Sequence, residues 1–355
     1  MPKILNWNLP IAIQNNTMLK NFTNKLTAVS IGDINGIGIH ILIKAWKKNK
    51  LKDFIIISNY ELFSKFIIKN KINLKLFKCS IKNDKISFDR ELFNIFDIKA
   101  NNYNQNTFNS LIESYKLVKK KYFIGLVTLP VNKKKLNLVN SNFIDQTTFF
   151  TKKDRKKISN MIFAYNNIYF VPLTIHLEIK KVSREFKQPN KYLKKIEILN
   201  QTIMRDFGIK KPKFIMAGIN PHCGENGIIS QEDELLIKPI IDKLKKLKIN
   251  VDGPISPDAI VNKKNLKKYN CFIFTYHDQA LIPFKLISDY SGVNFTSNLD
   301  IIRVSPDHGT AYDIVDHNNV SSYGVINSFK LLKKIYLNRK KYEKTKKISR
   351  SKLSN

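Results

Sequence analysis

The chain has 355 residues, of which 43% are hydrophobic and 25% charged. That is enough for about two domains of ordinary globular composition, and it excludes disorder, collagen and a small disulfide scaffold. Lys and Arg total 62 against 28 Asp and Glu, a net charge of +34 that raises nucleic acid or an anionic membrane as partners. The make-up of the excess argues against both. Arg occurs only at positions 90, 155, 184, 205, 303, 339 and 350, so nearly all of the positive charge is Lys. Nucleic-acid surfaces favour Arg for bidentate contacts. Lys, Ile and Asn are abundant everywhere here, the pattern left by drift in an A+T-rich genome. The scattered Lys are read as solvated faces, and neither nucleic acid nor membrane is expected as a partner.

Cys79, Cys223 and Cys271 form no CxxC pair, which points to free thiols in a reducing compartment, the cytoplasm. Cys271 lies in an apolar run and should be buried. No apolar stretch approaches the roughly 20 residues of a membrane span. Residues 1–26 lack a signal-peptide layout and read as an N-terminal extension, with Met18 an alternative start. Residues 341–355 read as a basic, frayed tail.

Short apolar runs alternate with amphipathic segments, which predicts an α/β fold. Leu26–Ile31 is expected as a strand, followed by the turn Gly32–Gly38 and a helix through Trp46. Further strands are expected at Phe54–Ser58 and Lys121–Thr128. Leu193, Ile196, Leu199, Ile203 and Phe207 recur at helical spacing. Lys213–Ala217 reads as a strand. Ser230 and Asp233 resemble a capping box. The helix after it would bury Leu236, Ile240, Leu244 and Leu247. Gly253-Pro254 and Pro257-Asp258 mark a loop. Cys271–Tyr276 reads as a strand that stops at His277.

Polar residues gather where strands end, which is where open α/β sheets bind ligands. Phe170–Ile175 ends at His176. Phe214–Ala217 runs into Asn220-Pro-His-Cys-Gly-Glu225, which holds His222. Phe272–Tyr276 ends at His277-Asp278-Gln279. Arg303 and Ser305–Thr310 follow. Three imidazoles on three strand ends could converge on one divalent cation with positions left open. Each could equally be an ordinary hydrogen-bonded residue, and spacing does not decide. The turn Gly32–Gly38 has the spacing GxxxGxG, not the dinucleotide fingerprint GxGxxG, and suits packing as well as a ligand. Lys285, Asn294 and Arg303 would suit a phosphate or carboxylate. Arg303 stands out because drift has left so few Arg.

At these residues the chain resembles the 4-hydroxythreonine-4-phosphate dehydrogenase family of pyridoxine biosynthesis, from about Ala28 to about Ile326. The resemblance is carried by Tyr276-His-Asp-Gln-Ala-Leu-Ile-Pro-Phe-Lys285, Asn220–Glu225 and Ile302-Arg-Val-Ser-Pro-Asp-His-Gly-Thr-Ala311. Thr128-Leu-Pro-Val-Asn-Lys133 and Thr174-Ile-His-Leu177 support it. It implies two α/β/α domains around a cleft, like isocitrate and isopropylmalate dehydrogenases. Residues 27–135 plus 300–340 would form the first domain, and 136–299 the second. It further implies a homodimer with active sites near the subunit interface. His176, His222 and His277 match the family's metal ligands, for Zn, Mg or Co. Gln146, Thr147, Lys285, Asn294 and Arg303 match substrate-binding positions. Asp307, His308, Gly309, Thr310 and Asp313 would approach NAD or NADP. Asp278 or Asp258 would orient a ligand His or relay a proton.

The chain departs from the family in places. The family's Gly-His-Thr-Glu reads here Asp145-Gln146-Thr147-Thr148. Gln146 can donate a hydrogen bond but carries neither proton nor charge. The family's first turn, Gly-Asp-Pro-Ala-Gly-Ile-Gly-Pro-Glu, is altered at Ile34, Asn35, Ile39 and His40. Ala280 replaces a Gly, and Ser297-Asn298 replace Leu-Gly. The expected reaction is metal-dependent oxidation of 4-phosphooxy-L-threonine by NAD(P)⁺, followed by decarboxylation. A related dehydrogenase of another phosphorylated hydroxy acid or diol, a basic nucleic-acid binder and a decayed enzyme are the alternatives.

Overall fold

The computed structural model describes residues 26–315 and 320–351. Of the extension expected over 1–26, residues 1–25 lie outside them, as do the last residues, 352–355. Twelve strands form one sheet: β1 (Thr27–Ser30), β2 (Phe54–Ser58), β3 (Leu76–Cys79), β6 (Phe93–Asp97), β7 (Leu126–Thr128), β8 (Met161–Tyr165), β9 (Ile168–Pro172), β10 (Phe214–Ala217), β11 (Val251–Ile255), β12 (Cys271–Phe274), β13 (Val293–Thr296) and β14 (Arg303–Pro306). A separate ribbon pairs β4 (Ile81–Lys82) with β5 (Lys85–Ile86). The sheet order is β11-β10-β12-β9-β8-β13-β14-β7-β1-β2-β6-β3.

Both flanks of the sheet are parallel, and both are buried on two faces, as βαβ crossovers require. Every residue of Phe54–Ser58 and Cys271–Phe274 is buried. Alternate residues serve opposite cores. Val29 and Ile56 join one cluster, while Ala28, Ile55 and Ile57 join another. Phe214 and Met216 face the first, and Ile215 and Ala217 a third. The helices Ile37–Lys47, Pro189–Arg205 and Tyr323–Ser351 cover one side, and Tyr103–Lys119 and His277–Ser288 the other. The Asn-rich composition finds a use here. Asn59, Asn102, Asn132 and Asn262 cap helix N-termini through their side chains, each worth about 1 kcal/mol.

Three strands in the middle reverse the chain direction. β8 is antiparallel to β9 and β13, and β13 is antiparallel to β14, which then runs parallel to β7. The two parallel flanks therefore point in opposite directions. Their carboxyl-end loops approach each other across β8, β13 and β14. Asn294 stands between Phe163 and Ser305 in register. With a side-chain period of two, Met161, Phe163, Asn294, Thr296, Arg303 and Ser305 share one face.

Four local expectations need correction. Only Leu126–Thr128 of the Lys121–Thr128 run is strand, because Lys121, at positive φ, ends the turn that closes the preceding helix. Ser230 and Asp233 form no capping box, since the Asp233 carboxylate turns away to accept from the backbone N–H of Ile219 and Asn220. A π-helical turn, Asp233–Ile237, then shifts the apolar stripe, so Ile237, Ile240, Ile241 and Leu244 are buried and Leu247 is exposed. Gly253-Pro254 lies within the edge strand β11, at an irregular register where proline is tolerated. The tail is also ordered further than expected. Tyr323–Ser351 is one helix, consistent with its many Lys and Arg, which are good helix formers.

Candidate active site

The face of β8, β13 and β14 floors a cavity of about 350 Å³. Its walls come from both flanks: Pro130–Lys133 and Asp145–Thr147 on one side, His176, His277, Leu281 and Lys285 on the other, with Pro306–Gly309 closing an edge. Of the sequence-predicted residues, the structure gathers Gln146, Thr147, His176, His277, Lys285, Asn294, Arg303, Asp307, His308 and Gly309 here.

Arg303 is 2% exposed and, among the described residues, touches no carboxylate. Its Nε and Nη2 donate to Thr128 Oγ1 at 3.0 and 2.7 Å, and Nη1 donates to Thr296 Oγ1 at 2.9 Å. Nη2 also donates to Gln146 Oε1 at 2.7 Å and Ser305 Oγ at 3.2 Å. Burial lowers its pKa to about 10, against the nearby charge of Asp145. Gln146 is fixed at its other end, where Nε2 donates to the Leu129 carbonyl. Thr147 meets Thr296 hydroxyl to hydroxyl at 3.5 Å.

His176 and His277 stand with ring centroids 5.9 Å apart. His277 Nδ1 is 2.7 Å from Asp278 Oδ1, and His176 Nδ1 is 3.4 Å from Asp145 Oδ2. A carboxylate on Nδ1 fixes the tautomer and leaves Nε2 as the metal-type donor. His176 also holds a left-handed backbone, φ 52°, a strain of order 1 kcal/mol that is common at functional residues. His222 does not line the cavity. It is exposed on the loop after β10, itself at φ 49°, beside Asp258. Asp258 is exposed and bonds Ser256, so it reaches neither His176 nor His277. Each carboxylate thus has its own imidazole: Asp278 meets His277, Asp145 faces His176, and Asp258 lies beside His222. Among the described residues no group of three His, Cys, Asp or Glu side chains is close enough to hold a metal ion. The donor chemistry of the His176–His277 pair, carboxylate-backed and facing a polar cavity, nevertheless fits a divalent cation.

Lys285 Nζ lies 3.3 Å from the Asp307 carbonyl and 3.5 Å from its Oδ2. Burial raises the Asp307 pKa to about 6, against the pull of Lys285. Burial lowers the pKa of His308, whose Nε2, like Asn294 Oδ1, is buried without a hydrogen-bond partner among the described residues. The cavity therefore presents unspent polar groups beside a buried cation. The loop after β14 is anchored to the first turn. Ile37 N–H donates to the Thr310 carbonyl, and Asp33 accepts from Tyr312 and Lys135. Gly32 and Gly36 leave no space for a Cβ against Pro130 and Thr310, so this turn serves packing. Asp313 is exposed and lies outside the cavity lining. Asp145 went unrecognised in the sequence reading. Its signal was an Asp where the family pattern has Gly.

An open α/β sheet whose strand-end loops converge on a buried arginine and an imidazole pair is the setting of an enzyme-type ligand site. Residues 45–332 match the model of the family described as pyridoxal phosphate biosynthetic protein PdxA, and the chain belongs to that family. A 4-hydroxythreonine-4-phosphate dehydrogenase of Zymomonas mobilis is 32% identical over 314 residues, 85% of this chain and 93% of its own. That of Wigglesworthia glossinidia brevipalpis is 31% identical over 84% of this chain and 93% of its own. The crystal structure of the Klebsiella pneumoniae dehydrogenase superposes with a TM-score of 0.76 at 24% identity, covering 89% of this chain and 99% of that one, a match of fold.

Proposed function

We propose that the protein oxidises 4-phosphooxy-L-threonine with NAD⁺ or NADP⁺, dependent on a divalent metal such as Zn, Mg or Co. The product, 2-amino-3-oxo-4-phosphooxybutanoate, would lose carbon dioxide to give 3-amino-2-oxopropyl phosphate on the way to pyridoxal 5'-phosphate. The observation that carries this reading is the buried Arg303, without a carboxylate partner among the described residues, in the same cavity as the His176–His277 pair.

Arg303 and Lys285 hold the anionic ends of the substrate, which fixes its carbon chain for hydride transfer. Asn294 and Thr147 offer polar contacts between them. His176, His277 and His222 would hold the metal, with Asp278 setting the His277 ring. When bound, that cation supplies Lewis acidity to the reacting hydroxyl and to the charge left on decarboxylation. The segment Asp307–Thr310, with Asp313 beyond it, forms the dinucleotide side. His222 must be brought to the imidazole pair by closure of the cleft or by a second subunit. A homodimer suits Ile282 and Leu286, which are 72% and 85% exposed one turn apart on the helix that carries His277 and Lys285. Among the described residues no helix is long and apolar enough to cross a membrane, and we place the enzyme in the cytoplasm.

The test is reduced-dinucleotide formation by metal-loaded protein given 4-phosphooxy-L-threonine and NAD⁺ or NADP⁺, beside a chelated control. Chelator-sensitive turnover is expected. Gln146 favours one second reading, a sister activity on another phosphorylated hydroxy acid or diol. No turnover on 4-phosphooxy-L-threonine, with turnover on another member of such a panel, would replace the first reading by the second.

A further inference from the structure

The N-terminus of the helix Gln146–Lys153 carries Asp-Gln-Thr-Thr where the family pattern is Gly-His-Thr-Glu. Two of the three changes form a pair. The family has a carboxylate at the fourth position and none at the first, whereas here Thr148 is fourth and Asp145 first. Positions three apart at a helix start lie one turn above each other on one side. A carboxylate at either can therefore serve the same neighbour.

The Asp145 side chain is 95% buried and held from two directions. Oδ1 accepts from the Thr148 N–H at 2.9 Å, and Oδ2 accepts from the Thr148 hydroxyl at 2.8 Å. Oδ2 also faces His176 Nδ1 at 3.4 Å. The hydroxyl that replaced the family's Glu thus steadies the carboxylate that replaced its Gly.

We propose that Asp145 is a positioning residue for His176: its carboxylate fixes the imidazole with Nδ1 protonated and Nε2 free for a divalent cation, and with Thr148 it takes over the place of the family's helix-start Glu. The proposal rests on the reading of His176 as a metal ligand.

The experiment titrates the full-length protein with Co²⁺ alone, following its visible absorption, in five forms: unaltered, His176→Ala, Asp145→Asn, Asp145→Gly, and Asp145→Gly with Thr148→Glu. Asn is as good an N-cap as Asp, so Asp145→Asn keeps the helix start and removes only the charge. Its Co²⁺ affinity should fall about 10- to 100-fold, the usual effect of losing a group that backs a ligand, with thermal midpoint little changed. A capping role alone predicts unchanged affinity. Asp145→Gly should weaken binding similarly, and adding Thr148→Glu should restore most of it. If His176→Ala binds as tightly as the unaltered protein, the metal reading itself fails. If His176→Ala loses Co²⁺ while Asp145→Asn keeps full affinity, the positioning role is overturned and the metal reading stands. Failure of Thr148→Glu to restore binding would overturn the exchange of positions.

Discussion

Two arginine clusters, drawn from a chain with only seven Arg, sit in opposite electrostatic settings. At the end of the helix Pro189–Arg205, the fully buried Asp206 is clasped by Arg205 and Arg339. Arg205 donates Nε and Nη2 to its two oxygens at 2.6 and 2.9 Å, and Arg339 does the same at 2.8 and 3.0 Å. Arg339 also donates to the carbonyls of Asp300 and Ile301. That cluster ties the C-terminal helix to the rest of the fold. Arg303 is more deeply buried than either of them and, among the described residues, donates only to neutral oxygens. A buried cation with no anion in direct contact, only the charge of Asp145 nearby, is costly unless something supplies one. The paired arginines are spent on structure, and on the proposed reading the unpaired one is held for a ligand.

The largest effect should come from breaking the paired cluster. Asp206→Ala leaves two guanidinium groups facing one another, and should cost about 3–5 kcal/mol of unfolding free energy in denaturant titration. Turnover per folded molecule should be unchanged. The pH dependence has a definite sign. The two arginines outweigh burial and depress the Asp206 pKa from its ordinary 3.8. Its contribution is therefore complete above about pH 4 and fades as pH falls through the lower folded value. Asp206→Ala should erase that acid-side loss.

A smaller effect sharpens the other half of the comparison. Gln146 accepts from Arg303 and donates to Leu129, so it steadies the guanidinium without charge. Gln146→Ala should raise KM about 10-fold, the worth of one hydrogen bond to a charged group, while kcat falls less. A collapse of kcat with KM unchanged would instead make Gln146 a participant in the chemistry.

Much of the frame was legible in the sequence because it is local. Apolar runs such as Phe54–Ser58 and Phe214–Ala217 read as strands on their own residues, and the polar clusters that follow them read as a ligand-binding edge. The reversal at β8, β13 and β14 was not legible, since strand pairing is decided by partners far along the chain. Yet that reversal puts Asn294 and Arg303 on the cavity floor. The contact of Gln146 with Arg303 spans 157 positions, and no spacing rule reaches it. The π-turn at Asp233–Ile237 was hidden because Asp233 is drawn off by the loop at Ile219 and Asn220, a tertiary demand. The spacing of the three imidazoles leaves open whether they form one set, and the resemblance implies that they do; in the structure His176 and His277 stand together. His222 lies apart from them, exposed on the loop after β10.

The most direct test of the unpaired-cation claim is calorimetric binding of 4-phosphooxy-L-threonine, without dinucleotide, to the unaltered protein and to Arg303→Lys. Lysine keeps the charge but loses the planar fork. Affinity should fall about 100-fold or more, with thermal stability changed far less than by Asp206→Ala. Equal affinity in the two proteins would contradict the account, because Arg303 would then be a structural arginine like Arg205 and Arg339.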